Sequence, residues 1–280
     1  MPIFATPEPI TATIDASIAD VRIVASDRAD TVVEVTPADP HDRDDVSAAE
    51  KTQIEFTGNA LLVKGPKYHT KLFGKGGSLI VVVELPAGSG IRGTTAMGDF
   101  RATGALGECR FKTSMGTIDL DETTRLEATT AVGDVTVGHA SGHAEVSTGS
   151  GDIRLREIDG SAALKNSSGE TRVGTVTGDL RVSSANGDIF VDVAHTAVNA
   201  KTAAGDVRIG EVVRDTVVLE TAVGEIEVGV REGSAAWLVL NSLIGSVHNS
   251  LAAADGPGQT DETVEVRARS YTGDIVVRRS

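Results

Sequence analysis

The amino-acid sequence predicts an all-β fold: a single-stranded parallel β-helix, or β-solenoid, with coils of about 18 residues and two strands per coil. Three observations predict it. A glycine, usually followed by an acid and then a β-branched residue, recurs at Gly98, Gly116, Gly133, Gly151, Gly169, Gly187, Gly205, Gly224, Gly245 and Gly273, with spacings of 18, 17, 18, 18, 18, 18, 19, 21 and 28. Apolar residues alternate with polar ones on both sides of that glycine, the pattern of strands with one buried face. Only 3% of the chain is aromatic, so its core must be thin and filled by Val, Ile, Leu and Ala.

The first strand of each coil follows the glycine. Positions two and four residues on are apolar, as in Ile153/Leu155, Ile189/Val191 and Val207/Ile209. A further apolar residue at seven (Ile158, Val176, Val212) suits a plug at the bend, and Gly142, Gly160 and Gly178 suit the turn there. The second strand carries its inward pair seven and five residues before the next glycine: Leu126/Ala128, Ala144/Val146, Leu180/Val182, Val217/Leu219 and Leu238/Leu240. Coils are expected to stack with parallel strands about 4.8 Å apart. Handedness is left open by the pattern, with the right-handed coil preferred.

Three residues before each glycine stands a side chain able to donate and accept: Thr95, Thr113, Thr130, Thr148, Asn166, Ser184, Thr202, Thr221, Ser242 and Ser270. Buried polar groups need partners, so this line is expected to form an internal ladder in which each residue bonds its equivalent in the next coil. Directly after the glycine runs an outward acidic column of Asp99, Asp134, Asp152, Glu170, Asp188, Asp206, Glu225 and Asp274, with Arg101, Arg154, Arg172 and Arg208 two residues on. A solvated acid/arginine lattice is the expectation for this column, and a cation-binding or basic-partner edge is its functional alternative.

Residues 1–90 read as an irregular β region capping, and continuous with, a regular solenoid over 91–280. Strands are expected at 31–36, 52–57, 60–64 and 78–85. Ala19-Asp20-Val21-Arg22-Ile23 reads as a degraded coil in which alanine replaces the glycine, and Pro37 to Glu50 as a polar linker. Insertions near 229–236 and 249–263 read as surface loops.

The recurrent Gly-Asp-(Ile/Val)-x-(Val/Leu) unit resembles the bacterial "putative adhesin" β-strand-repeat family, whose function is unknown. The opening Phe4-Ala5-Thr6-Pro7-Glu8-Pro9-Ile10 and Val21-Arg22-Ile23-Val24-Ala25-Ser26-Asp27-Arg28, and the closing Thr272-Gly273-Asp274-Ile275-Val276-Val277-Arg278-Arg279, are similar to actinobacterial members. The resemblance covers essentially the whole chain. It implies a solenoid and no established activity.

Composition narrows the function. A net charge of −14 disfavours nucleic acid as a partner. The longest apolar run, Leu79 to Leu85, is strand-sized, so no membrane span is expected. Met1-Pro2-Ile3-Phe4-Ala5 has neither a basic nor an apolar leader region, which points to the cytoplasm. The single Cys109 permits no intrachain disulfide; it falls on an inward position and reads as core filler. His139 and His143 flank a bend, where a four-residue spacing does not suit a metal. With one acid per coil, the pattern lacks the converging oxygens of calcium-binding toxin repeats. No catalytic residue, metal or cofactor is therefore expected.

The contact candidates are the basic segment with Lys64, Lys67, Lys71 and Lys75, and Trp237 beside the first insertion. The leading reading is a non-enzymatic scaffold presenting a flat repetitive surface to a protein or polymer, with self-association possible. A bactofilin-like filament is the alternative. A polysaccharide-active β-helix enzyme ranks last, because such a site needs adjacent carboxylates and aromatic platforms.

Overall fold

The computed structural model describes residues 1–66, 76–252 and 262–280. Lys67, Lys71, Lys75 and most of the insertion at 249–263 lie outside the described residues. Two compact units are distinguished, Met1–Gly138 and His139–Ser280.

In chain order the elements of the first unit are β1 (Ile3–Ala5), β2 (Thr11–Ser26), β3 (Asp30–Pro37), α1 (Arg43–Lys51), β4 (Gln53–Thr57), β5 (Ala60–Lys64), β6 (Leu79–Pro86), β7 (Gly90–Met97), β8 (Phe100–Lys112) and β9 (Ile118–Val132). Strand β10 (Val135–Ala140) spans the division. The second unit continues with β11 (Ala144–Ser150), β12 (Ile153–Ile158), β13 (Ala162–Ser168), β14 (Thr171–Val176), β15 (Leu180–Asn186), β16 (Ile189–Ala194) and β17 (Val198–Ala204). Then follow β18 (Val207–Val212), β19 (Asp215–Val223), β20 (Ile226–Val230), β21 (Ser234–Ile244), β22 (Val247–Asn249), β23 (Glu262–Thr272) and β24 (Ile275–Arg279).

In the first unit the degraded coil at Ala19 is real. The first half of β2 pairs in parallel with β5 and β7, and its second half with β6 and β8. Val21 and Ile23 face Phe100 and Ala102 in register. Strands β7, β8 and β9 continue the parallel stack. Phe100 and Phe111 lie inside with ring centroids 5.0 Å apart. Gly93 leaves them room: a Cβ there would come within 2.5 Å of the Phe100 ring.

Antiparallel strands border this stack. β3 lies on β6, β1 on β3, and β4 on β5. The stretch read as a polar linker instead contains α1. Its N-cap is Asp42, whose carboxylate accepts the N–H groups of Asp44 and Asp45, and Lys51 sits in the last turn where the helix dipole favours a cation. Asp45 is buried and accepts the N–H groups of Asp39 (2.9 Å) and Ser78 (2.6 Å), tying the helix to β6. The cluster of aspartates that looked like a solvated linker is thus a helix start and its anchor.

In the second unit the two-strand coil holds throughout. Strands β11, β13, β15, β17 and β19 form one parallel ladder, and β12, β14, β16, β18 and β20 the other. The residues expected inward are buried: Ile153, Leu155, Ile189, Val191, Val207, Ile209, Leu180, Val182, Val217 and Leu219, with Ile158, Val176 and Val212 at the bend. Each such side chain removed from water contributes about 1.5–3 kcal/mol.

Stacking departs from sequence order at the end. β23 pairs with β19 on one side and with β21 on the other; β24 likewise lies between β20 and β22. The chain lays down β21 and β22 as the outermost coil, then returns to fill the slot beneath with β23 and β24. The 28-residue spacing between Gly245 and Gly273 carries that return. Within 229–236 the connection is short: β20 and β21 flank an exposed turn over 231–233.

Candidate interaction surface

The acidic column is explained by hydrogen bonds between coils. In the first unit, Asp99 Oδ1 accepts the N–H of Thr117 at 2.8 Å, one coil on, while Oδ2 meets Arg101 at 2.8 Å. Asp20 accepts the N–H of Asp99 in the same way. Asp134 occupies the equivalent, half-buried position.

The second unit repeats the device. Asp152, Asp188 and Asp206 accept from the N–H groups of Glu170, Asp206 and Glu225 at 2.8–2.9 Å. Asp152 also meets Arg154, Glu170 meets Arg172, and Asp206 meets Arg208. Glu225 is exposed. Asp274 accepts the N–H of Ser246 at 2.7 Å, which again places the β23–β24 coil directly beneath the β21–β22 coil. The carboxylates therefore hold register between coils. The guanidiniums of Arg172 and Arg208 also flank the Phe190 ring, at 4.8 and 5.9 Å from its centroid.

The internal polar line has partners other than those expected. Its side chains donate to the carbonyl of the marker glycine one coil back: Thr130 to Gly116 (3.1 Å), Asn166 to Gly151 (3.0 Å), Thr202 to Gly187 (3.1 Å), Thr221 to Gly205 (2.9 Å), Ser270 to Gly224 (3.1 Å) and Ser242 to Gly273 (2.8 Å). Side chain-to-backbone bonding wins because the glycine carbonyl of the adjacent coil lies within 2.8–3.1 Å, whereas in-register side chains of adjacent coils are spaced about 4.8 Å apart. The hydroxyls of Thr95 and Ser184 have no hydrogen-bond partner among the described residues. For Ser184 a cause is visible: the Gly169 carbonyl already accepts from Asn166.

The histidines do not converge. His139 Nε2 meets Asp159 Oδ2, and His143 Nδ1 meets Ser161 Oγ, each at 2.8 Å. Cys109 is buried, and burial pushes its thiol up to about 11. Among the described residues no group of three or more His, Cys, Asp or Glu is placed to hold a metal, and no helix is long and apolar enough to cross a membrane. A shallow depression of about 440 Å³ lies over β13, β15, β17 and β19. Asp179 and Arg181 are its only charged lining groups, so it lacks the facing pair of carboxylates that glycoside cleavage requires.

Of the basic segment, Lys64 is described: it ends β5 and is exposed. Trp237 is the more informative residue. It stands on β21, the outer strand of the last coil, with 71% of its surface exposed. Val239, Leu243, Ile244 and Val247 are exposed around it. The register identifies what these positions carry in the coil below: Trp237 lies over Glu265, Val239 over Arg267 and Asn241 over Arg269. Charged positions therefore become uncharged in the outermost coil, and at Trp237 and Val239 apolar. The inward residues Leu238 and Leu240 are only half-buried, whereas Val217, Leu219 and Val266 beneath them are fully buried.

Sequence reasoning singled out Trp237 but not its neighbours. Their signal was present: Ser234 to Val247 contains no charged residue in a chain with 66 Asp, Glu, Lys and Arg among 280 residues. A smaller exposed ridge in the first unit, Met97, Met115 and Val132, was also missed. It is legible as the apolar residue before each marker glycine or its equivalent.

The Toastrack DUF4097 family model matches residues 12–236. Solved structures similar to the chain include a "putative cell adhesion protein" from Clostridium sporogenes (9% identity, TM-score 0.27, covering 100% of this chain and 98% of that one). Also similar are a "putative adhesin" from Bacteroides fragilis (11%, TM-score 0.28, 99% and 95%) and another from Parabacteroides merdae (10%, TM-score 0.27, 99% and 94%). No curated protein matches the chain.

Proposed function

The chain belongs to the Toastrack DUF4097 family, and on that premise we propose that it is a non-enzymatic β-solenoid scaffold that binds a partner through the last coil of its second unit. The observation that carries this reading is the change from charged to apolar at Trp237 and Val239 on an outermost strand. Natural sheet edges are protected by charges, short strands or covering segments. Here an 11-residue edge strand carries Trp, Val and Leu outward instead. Tryptophan anchors of this kind dominate the energetics of protein interfaces.

The acids of the repeat support a scaffold over an enzyme, since Asp99, Asp152, Asp188, Asp206 and Asp274 are each engaged in holding neighbouring coils. A bactofilin-like filament needs a second open edge of matching length. In the first unit the strands β1 and β4 that border the stack are antiparallel and only 3 and 5 residues long.

The test is affinity capture from the native cell with the wild-type protein and with Trp237→Ser, compared by quantitative mass spectrometry. Loss of an interface anchor costs about 2 kcal/mol, so the retained partner should fall at least about tenfold with the variant. Equal retention by the two proteins contradicts the reading.

A further inference from the structure

We propose that the occupant of the β21 edge is a second copy of this chain, joined edge to edge by antiparallel pairing of the two β21 strands about a two-fold axis. This inference rests on the binding reading above and names the partner.

The first argument is charge. Two copies of a protein with net charge −14 repel one another except where they meet through uncharged surface. The segment from Ser234 to Val247 provides that surface, with no Asp, Glu, Lys or Arg, whereas β23 beneath it carries Glu262, Glu265, Arg267 and Arg269. A partner recognised by charge would find nothing to pair with on this strand; an identical strand needs nothing.

The second argument is the backbone. Strand β21 is hydrogen-bonded to β23 on one side, and among the described residues no strand pairs with its other side. Its free N–H and C=O groups want a further strand. A two-fold brings the same strand in antiparallel orientation, and full overlap of Ser234–Ile244 puts Val239 opposite its own copy. Directly opposed residues share a face, so Trp237 falls opposite Asn241, and the half-buried Leu238 and Leu240 are covered by the copies' own inward residues.

The third argument is size. An 11-residue edge is about 36 Å long at about 3.3 Å per residue. With about 10 Å of depth per sheet and a β22 of only three residues in the second sheet, that gives on the order of 500 Å² per copy, the size of a weak interface that dilution reverses.

The experiment is sedimentation velocity on the full chain over a dilution series from millimolar to micromolar, with wild type, Val239→Lys, Val239→Glu and an equimolar mixture of the two variants. The proposal expects wild type to move from dimer to monomer on dilution, and each variant alone to stay monomeric because like charges meet at the axis. It expects the mixture to recover the dimer, a result that a merely unfolded variant cannot give. Trp237, the chain's one tryptophan, should lose solvent quenching as wild type dimerises. A monomeric wild type at every concentration overturns the proposal, as does a dimer that Val239→Lys leaves intact. Capture by wild type that is lost with Trp237→Ser, alongside a monomeric wild type, leaves the binding reading standing without a self-partner. Equal capture and no dimer remove both.

Discussion

The marker glycine is the residue on which every coil turns. At Gly187 the backbone has φ +146°, and a Cβ would lie 2.0 Å from the Gly169 carbonyl oxygen of the coil before. That oxygen is one of the row that accepts bonds from the internal polar line, so glycine is required both by its own conformation and by the carbonyl beside it. Gly233 also has positive φ (+85°) but a Cβ there would meet nothing within 4 Å. Gly187→Ala should therefore cost at least about 3 kcal/mol, combining strain and displacement of the neighbouring coil, against about 1 kcal/mol for Gly233→Ala. Chemical denaturation of the two variants checks this; equal losses contradict it. A second residue-scale expectation concerns Cys109. Burial raises its thiol from 9.0 to about 11, so the folded state keeps the proton where the unfolded state has lost it. The stability contributed by that group is fully present below pH 9 and is lost as pH rises from about 9 towards 11. Cys109→Ala should flatten that part of the stability-versus-pH curve; an unchanged slope contradicts the assignment.

At the scale of elements, the sequence made the repeat legible because a period near 18 and a period of two coincide. Any strand with Ile153/Leu155-type alternation beside a glycine could be placed, and the degraded coil at Ala19 followed from the same pattern. The polar line was found, but its partners were not. Periodicity locates Thr202 inside, whereas its choice of the Gly187 carbonyl depends on where the backbone points. Helix α1 was missed because only Val46, Ala48 and Ala49 of its nine residues are apolar and its start is encoded in a single cap, Asp42, among four aspartates. Asp45 accepts two backbone N–H groups from outside the helix, so Asp45→Ala should leave both unpaired and cost about 2–4 kcal/mol. Asp44→Ala, on the exposed side, should change stability by less than about 0.5 kcal/mol. Thermal unfolding of the two variants checks the contrast, and similar values would contradict the anchoring role.

For the whole molecule, the decisive feature is the order in which coils are laid down. Spacing alone suggested a surface loop near 249–263 before Gly273. It could not reveal that β23 and β24 slide between earlier coils, since Gly245 and Gly273 coils carry the same inward pattern and either would fit either slot. What distinguishes them is the outward face: Glu265, Arg267 and Arg269 suit a coil covered on both sides by paired strands, and Trp237, Val239 and Leu243 suit a coil that meets something else. The sequence held that contrast as a charge-free stretch in an acidic chain, and only the stacking order gives it meaning. Hydrogen exchange resolved by residue, at low and at high protein concentration, tests this most directly. The account predicts slow exchange throughout β23 at both concentrations, and fast exchange at low concentration for those β21 amides directed away from β23, which become protected on concentration. Protected β21 with rapidly exchanging β23 would contradict it, because that is the signature of coils stacked in simple sequence order.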